Sequence, residues 1–275
     1  MRLTAIWVGL RALLVGGTML CLAVFFFQRR LIYFPEREDE ARALAFAKVH
    51  GLEPWRDGRG SIMGWIARSI GGAAEGRLLI CHGNAGTALG RLYYAQGLQS
   101  TVVPRRWEIR ILEYPGYGSR PGAPSEPVLV KAAVAAIDAL DKETPLPLIL
   151  VGESIGSGVA ALAAAQRPAS VKGLFLVTPL NRMRDLARIH YPYLPTFLVR
   201  DRFEAATALR DFHGPLAVLL AERDEIIPPR LGQAVFDGHS GPKRLWIAKG
   251  SGHNDWDVTP SNPMWAEASE FLLPR

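Results

Sequence analysis

From Ile6 to Phe27 every position is apolar except Arg11 and Thr18. As a helix rising about 1.5 Å per residue, those 22 positions reach roughly 33 Å, enough to cross a bilayer. Arg11 lies five residues inside the run, roughly 7.5 Å from its start, where a long side chain snorkels to the headgroups. The run closes on Phe25-Phe26-Phe27-Gln28-Arg29-Arg30 with no small-x-small cleavage site behind it. The pattern therefore predicts an uncleaved transmembrane anchor over residues 1–30 rather than a signal peptide. Arg2 and Arg11 stand toward one end of the run while Arg29, Arg30, Arg37 and Arg42 follow the other, which leaves the side of the membrane open.

Beyond the anchor the pattern changes. Residues 31–55, with the charged cluster Glu36-Arg37-Glu38-Asp39-Glu40 and a short helical stretch near Ala41 to Val49, are expected to form a stalk. Over residues 56–275 short apolar runs alternate with longer helical patterns, the signature of a mostly parallel sheet wrapped by helices. The expected strands are Ser61 to Ala67, Arg77 to Cys81, Glu108 to Leu112, Pro147 to Val151, Gly173 to Val177, Leu216 to Ala221 and Arg244 to Ile247. Helices are expected at Ala88 to Gln99, Pro127 to Asp141, Ile155 to Gln166, Pro229 to Phe236 and Pro263 to Leu272. Leu180 to Gly214 interrupts this rhythm. Its length and its apolar cluster (Tyr191, Tyr193, Leu194, Phe197, Leu198, Val199) predict a lid over the site and a wall of an acyl pocket.

Composition adds bounds. Apolar residues make up 49% of the 275 and charged residues 21%, enough side chain for one large core and no sign of disorder. The 32 Lys and Arg exceed the 26 Asp and Glu, but they are scattered without interleaved aromatics, so nucleic acid is not an expected partner. The two cysteines, Cys21 in the anchor and Cys81 at a strand end, suit neither a disulfide nor metal-ligand spacing, and neither metal nor cofactor is expected.

The chemistry gathers beyond strand ends, where an open α/β sheet places its ligands. Gly152-Glu153-Ser154-Ile155-Gly156 follows an apolar strand and opens a helix, the context in which G-x-S-x-G exposes a serine on a sharp turn. Asp224 follows a later strand and His253 the last one, giving the order serine, acid, histidine. Glu222 and Glu225 flank the acid position. Asp224 is preferred for its place in Arg223-Asp224-Glu225-Ile226-Ile227-Pro228. Gly250, Gly252 and Asn254 around His253 describe a loop suited to close approach. For a developing oxyanion the expected donors are the backbone N–H groups of Asn84, in the loop after the second expected strand, and of Ile155, directly after the nucleophile. Gly83 and Gly86 are followed by no Walker-type Lys-Ser or Lys-Thr, so a nucleotide site is not expected.

These residues resemble the α/β-hydrolase superfamily, and within it the membrane-anchored bud-emergence-type and serine-aminopeptidase-like hydrolase-domain proteins. The likeness rests on Gln28-Arg29-Arg30-Leu31-Ile32-Tyr33-Phe34-Pro35 at the anchor's end and on His82-Gly83-Asn84-Ala85-Gly86. It also rests on Glu113-Tyr114-Pro115-Gly116-Tyr117-Gly118, with Pro124-Ser125-Glu126 beyond it, and on the elbow with Asp224 and His253. Pro115 and Arg120 depart from the commoner Arg and Ser of that pattern, in a turn outside the triad. The resemblance implies a hydrolase of ester, thioester or amide bonds acting on a small-molecule or lipid-like acyl substrate. A serine peptidase and a non-catalytic binding protein on the same fold are the competing readings, the latter weakened by a complete triad order.

Overall fold

The computed structural model describes residues 2–143 and 145–273. The apolar N-terminal run is a single helix, α1 (Arg2–Ile32), of which Gly9–Ile32 is long and apolar enough to cross a bilayer. It is followed by β1 (Phe34–Pro35), α2 (Glu40–Val49), β2 (Glu53–Arg56), β3 (Ile62–Ala67), β4 (Gly76–Cys81), β5 (Ala85–Gly86) and α3 (Leu92–Leu98). Next come β6 (Trp107–Leu112), α4 (Glu126–Leu140), β7 (Leu148–Glu153), α5 (Ile155–Gln166) and β8 (Val171–Val177). The chain ends through α6 (Met183–His190), α7 (Ala205–Ala208), β9 (Leu216–Ala221), α8 (Pro229–Gly238), β10 (Lys243–Ala248) and α9 (Met264–Leu272).

Eight strands form one sheet in the order β10-β9-β8-β7-β4-β6-β3-β2. All neighbours are parallel except the β6–β3 and β3–β2 pairs. Side chains along a strand alternate between faces, and the central strands feed two cores accordingly. Leu148, Leu150, Leu174 and Leu176 meet one face, where α4 and α5 pack, while Ile149, Val151, Phe175 and Val177 meet the other, with Tyr94 of α3 and Trp265 of α9. Both faces being covered, β4, β6, β7 and β9 are buried at every position; β9 therefore reads as an unbroken apolar run, whereas β4 and β6 bury the charges of Arg77, Glu108 and Arg110 by pairing them with one another. In α4 the buried positions Leu129, Ala133, Ala136 and Leu140 recur at helical spacing, and Pro127 sits in its first turn, where a missing N–H costs nothing. Each fully buried Leu or Ile stabilises by about 1.5–3 kcal/mol.

Residues 31–55 are not the stalk expected from their polarity. Tyr33, Ala43, Ala47, Leu52 and Trp55 are buried, and β2 is the edge strand of the main sheet, antiparallel to β3. Two alanines one turn apart and a four-residue strand containing Pro54 give little hydrophobic signal. Proline at an edge still leaves the pairing side intact. β1, two residues past the end of α1, pairs in parallel with β5, aligning Phe34 with Ala85 and Pro35 with Gly86.

Candidate active site

Ser154 stands between β7 and α5 at φ 54° and ψ −121°, in the left-handed half of backbone space where a side chain is strained. Glycine makes the turn possible. A Cβ on Gly156 would overlap the carbonyls of Cys81 and His82 at the end of β4, and one on Gly152 would lie 2.6 Å from Cα of Ser157. The Ser154 N–H donates to the Val177 carbonyl at 2.9 Å, fixing the turn to β8.

The structure brings Ser154, His253 and Asp224 together although 99 and 29 residues separate the pairs. His253 Nε2 is 3.0 Å from Ser154 Oγ, and His253 Nδ1 is 2.7 Å from Asp224 Oδ2. The other oxygen, Asp224 Oδ1, accepts from the N–H groups of Ile226 (2.9 Å) and Ile227 (2.7 Å). That leaves the buried carboxylate fixed in orientation. The flanking acids point elsewhere: Glu222 binds Lys249 Nζ at 2.9 Å and the Gly250 N–H at 2.8 Å, and Glu225 borders the cavity without bonding His253. A histidine so held carries its proton on Nδ1 and offers Nε2 to the serine hydroxyl.

Asn84 and Ile155 both border the cavity at Ser154, and among the described residues neither backbone N–H has a protein acceptor. Ile155 opens α5, so its N–H is one of the four a helix leaves free. The Asn84 loop is braced from the end of α1. Asn84 Nδ2 donates to the Ile32 carbonyl at 2.7 Å, and the Asn84 carbonyl accepts from the Phe34 N–H (3.0 Å) and Tyr117 Oη (2.9 Å).

Beneath the turn lies a polar cluster with no motif to announce it. Arg91 reaches Glu153 Oε1 with Nη2 at 2.9 Å and Nε at 3.2 Å, and its Nη1 donates to the Ala85 carbonyl at 3.0 Å. Tyr93 Oη donates to Glu153 Oε2 at 2.5 Å. Burial works against the Glu153 charge, but Arg91 and the Tyr93 hydroxyl outweigh it and hold this carboxyl below the usual range. Both residues sit where sequence offers only an arginine on an apolar helix and the variable position of the elbow. Close by, burial pushes the Cys81 thiol up to about 12, which keeps it protonated at neutral pH. His82 is fully buried, with Nδ1 2.8 Å from the Gly83 carbonyl oxygen and its ring tilted 42° against Tyr114 at 4.2 Å between centroids, a structural placement under the loop.

Ser154 opens onto a cavity of about 680 Å³. Of the apolar cluster in residues 180–214, Tyr191, Leu194, Leu198 and Val199 border it, whereas Tyr193 and Phe197 project outward, 97% and 75% exposed. The expectation that Tyr193 and Phe197 belong to a pocket wall is thus corrected. Leu194, Pro195 and Thr196 border the cavity, and Tyr193 and Phe197 on either side of them face out. Val24, Gln28, Leu31 and Ile32 of α1 supply another side of the same cavity. Among the described residues no group of three His, Cys, Asp or Glu side chains is placed to hold a metal.

A family model for the α/β hydrolase fold matches residues 76–210. The chain is 30% identical over 271 residues to the uncharacterized protein Rv2307c of Mycobacterium tuberculosis, covering 96% of this chain and 93% of that one. It is 27% identical over 209 residues to the lysophosphatidylserine lipase ABHD12 of Danio rerio, covering 70% of this chain and 54% of that one. Against the protein bem46 of Schizosaccharomyces pombe the identity is 29% over 182 residues, 60% of either chain. The solved structure of Est1E from Butyrivibrio proteoclasticus with ferulic acid bound superposes with a TM-score of 0.62 at 16% identity, covering 80% of this chain and 92% of that one. With this fold, this topology and these relatives, the chain belongs to the α/β-hydrolase superfamily, in its bud-emergence-type branch.

Proposed function

We propose that this chain is a membrane-anchored serine esterase that cleaves a lipid-like acyl substrate through an acyl-enzyme on Ser154. The observation that carries the reading is the hydrogen-bonded line Ser154–His253–Asp224 at the mouth of a mostly apolar cavity. In this mechanism Ser154 Oγ attacks the ester carbonyl carbon while its proton passes to His253 Nε2. The carbonyl electron pair moves onto oxygen, where the N–H groups of Asn84 and Ile155 receive it. Collapse of the tetrahedral species breaks the bond to the alcohol oxygen, which leaves with the proton from Nε2. Water then attacks the acyl-enzyme, giving its proton to His253. The carboxylate departs, and Ser154 recovers its hydrogen. Asp224 holds the imidazole tautomer and stabilises the imidazolium.

The likeness to a lysophosphatidylserine lipase supports the lipid-like class. Residues 180–214 act as a lid in this reading, supported by their place along the cavity. Retention of α1 as an anchor is supported by its polar latch to the domain. Asp201, 1% exposed, accepts from Arg29 Nε and Nη2 at 3.0 Å each and from Tyr33 Oη at 2.9 Å. Removing α1 would strip this buried carboxylate of its cation, which a cleaved leader has no reason to supply.

A fluorophosphonate probe tests the nucleophile directly. The full chain should be labelled once, at Ser154, and the Ser154→Ala variant not at all. Labelling that survives the substitution, or its absence from a folded wild-type chain, would overturn the reading.

A further inference from the structure

The cavity is built only in part by the catalytic domain. Val24, Gln28 and Leu31 recur at i, i+4 and i+7, a single stripe of α1, and this stripe borders the same space as Ser154, Ile155 and Asn84. From Val24 to Ile32 the stripe climbs about 12 Å along the helix. All of that length lies inside the 24-residue segment Gly9–Ile32 that is long and apolar enough to span a bilayer, so the cavity leaves the domain along that same element.

The one polar group on this stripe is neutralised. Gln28 is 6% exposed; its Nε2 donates to the carbonyls of Phe25 (3.0 Å) and Leu198 (2.9 Å), and its Oε1 accepts from the Arg200 N–H at 2.9 Å. An amide so satisfied presents no unpaired donor or acceptor to a hydrocarbon neighbour. The same bonds lock α1 to residues 198–200, and the Arg29–Asp201 pair repeats the lock one residue further on. The walls are therefore fixed relative to one another. Leu31, Phe34 and Tyr191 on the border of the cavity are exposed, as are Tyr193 and Phe197 of the same segment, apolar and aromatic surface of the kind found at the headgroup level of membrane proteins.

We propose that the end of α1 is a wall of the acyl channel, and that the substrate is a lipid ester drawn from the bilayer, its acyl chain lying along Val24, Gln28 and Leu31 with its carbonyl at Ser154. This rests on the reading of Ser154 as the nucleophile. A lipid ester arriving from water would first have to expose its whole acyl chain to solvent, whereas a chain already in the leaflet moves along Val24, Gln28 and Leu31 without that exposure. The anchor thereby selects substrate as well as position.

The test uses the full chain in phosphatidylcholine vesicles and a dodecyl fluorophosphonate whose chain ends in a diazirine. After reaction at Ser154, photolysis marks whatever touches the chain end. The expected product joins Ser154 to a peptide containing residues 24–31. An adduct on Ser154 whose cross-links fall only within residues 183–199 overturns the channel and leaves the esterase reading standing; no adduct on Ser154 removes both. A second measurement compares palmitoyl with butyryl esters in the Val24→Trp and Leu31→Trp variants. The palmitoyl-to-butyryl ratio of kcat/KM should fall at least about tenfold, the scale on which altered pocket contacts discriminate substrates. An unchanged ratio overturns the inference. Turnover of the palmitoyl ester should also follow its mole fraction in the vesicle; dependence on bulk concentration alone would count against entry from the membrane.

Discussion

Arg91 holds Glu153 with two guanidinium nitrogens, Nη2 at 2.9 Å and Nε at 3.2 Å from Oε1, one residue before the strained turn at Ser154. Because Arg91 also donates to the Ala85 carbonyl, one side chain spans the turn and the loop that carries Asn84. Two parts of the candidate site, from different strands, are thereby tied through a single guanidinium.

Removing that cation should destabilise more than removing the pair. Arg91→Met leaves Glu153 as a buried, uncompensated carboxylate, a loss of about 3–5 kcal/mol for breaking pairs of this kind. Adding Glu153→Gln to it should restore most of the lost stability, because the amide needs no counter-charge and Tyr93 Oη can still donate to its oxygen. Urea titrations of the wild type, the single and the double variant read this directly. Equal losses in both variants would show that burial of charge is not the source.

The lowered Glu153 carboxyl fixes the sign of a pH effect. A group depressed in the folded state stabilises fully above its unfolded value, about 4.3 for glutamate, and that contribution disappears as pH falls through the lower folded value. The wild type should therefore lose melting temperature on acidification below about pH 4 more steeply than Glu153→Gln does. Thermal melts across this range check it; parallel curves would assign the acid sensitivity to other carboxylates.

Asp224 and Glu222 make a matched pair of substitutions. Asp224→Asn puts an amide against His253 Nδ1 and lets the ring take the wrong tautomer, a change that lowers kcat by about 10⁴ in a serine protease triad. Glu222 serves Lys249 and the Gly250 N–H instead, so Glu222→Gln should leave turnover of a short ester close to wild type. Burst and steady-state assays with butyryl esters separate the two, and a crippled Glu222→Gln beside an active Asp224→Asn would reverse the assignment.

Much of this architecture is legible in the sequence because parallel strands buried on both faces leave contiguous apolar runs, as at Leu148–Glu153, and because the elbow needs glycines at fixed places. Asp224, preferred over its neighbours by position alone, is the carboxylate that reaches His253. What the sequence hides is long-range and polar. Arg29 with Asp201, Gln28 with Leu198 and Asn84 with Ile32 are separated by 172, 170 and 52 residues, and no local periodicity encodes such pairs. Residues 31–55 read as a stalk for the same reason. Their burial depends on the partners β3 and β5, not on a hydrophobic pattern of their own.

The outward and inward residues of the segment between β8 and β9 separate two roles that sequence had merged. Leu194 and Leu198 border the cavity, while Tyr193 and Phe197, each one position before them, stand in the open. Shortening an inward side chain removes contacts with a bound acyl chain, and each such loss is worth about 1–3 kcal/mol in discrimination between substrates. Leu194→Ala and Leu198→Ala should therefore shift preference between butyryl, octanoyl and palmitoyl esters. Tyr193→Ala and Phe197→Ala should leave that preference in place and act on the membrane face instead, where an aromatic ring gains from lying at the headgroup level. For these two, the useful readout is the loss of tryptophan-free, ring-dependent protection of residues 191–197 from proteolysis when vesicles are added. Chain-length profiles altered by the outward pair but not by the inward pair would mean that the segment folds the other way over Ser154 when substrate is bound.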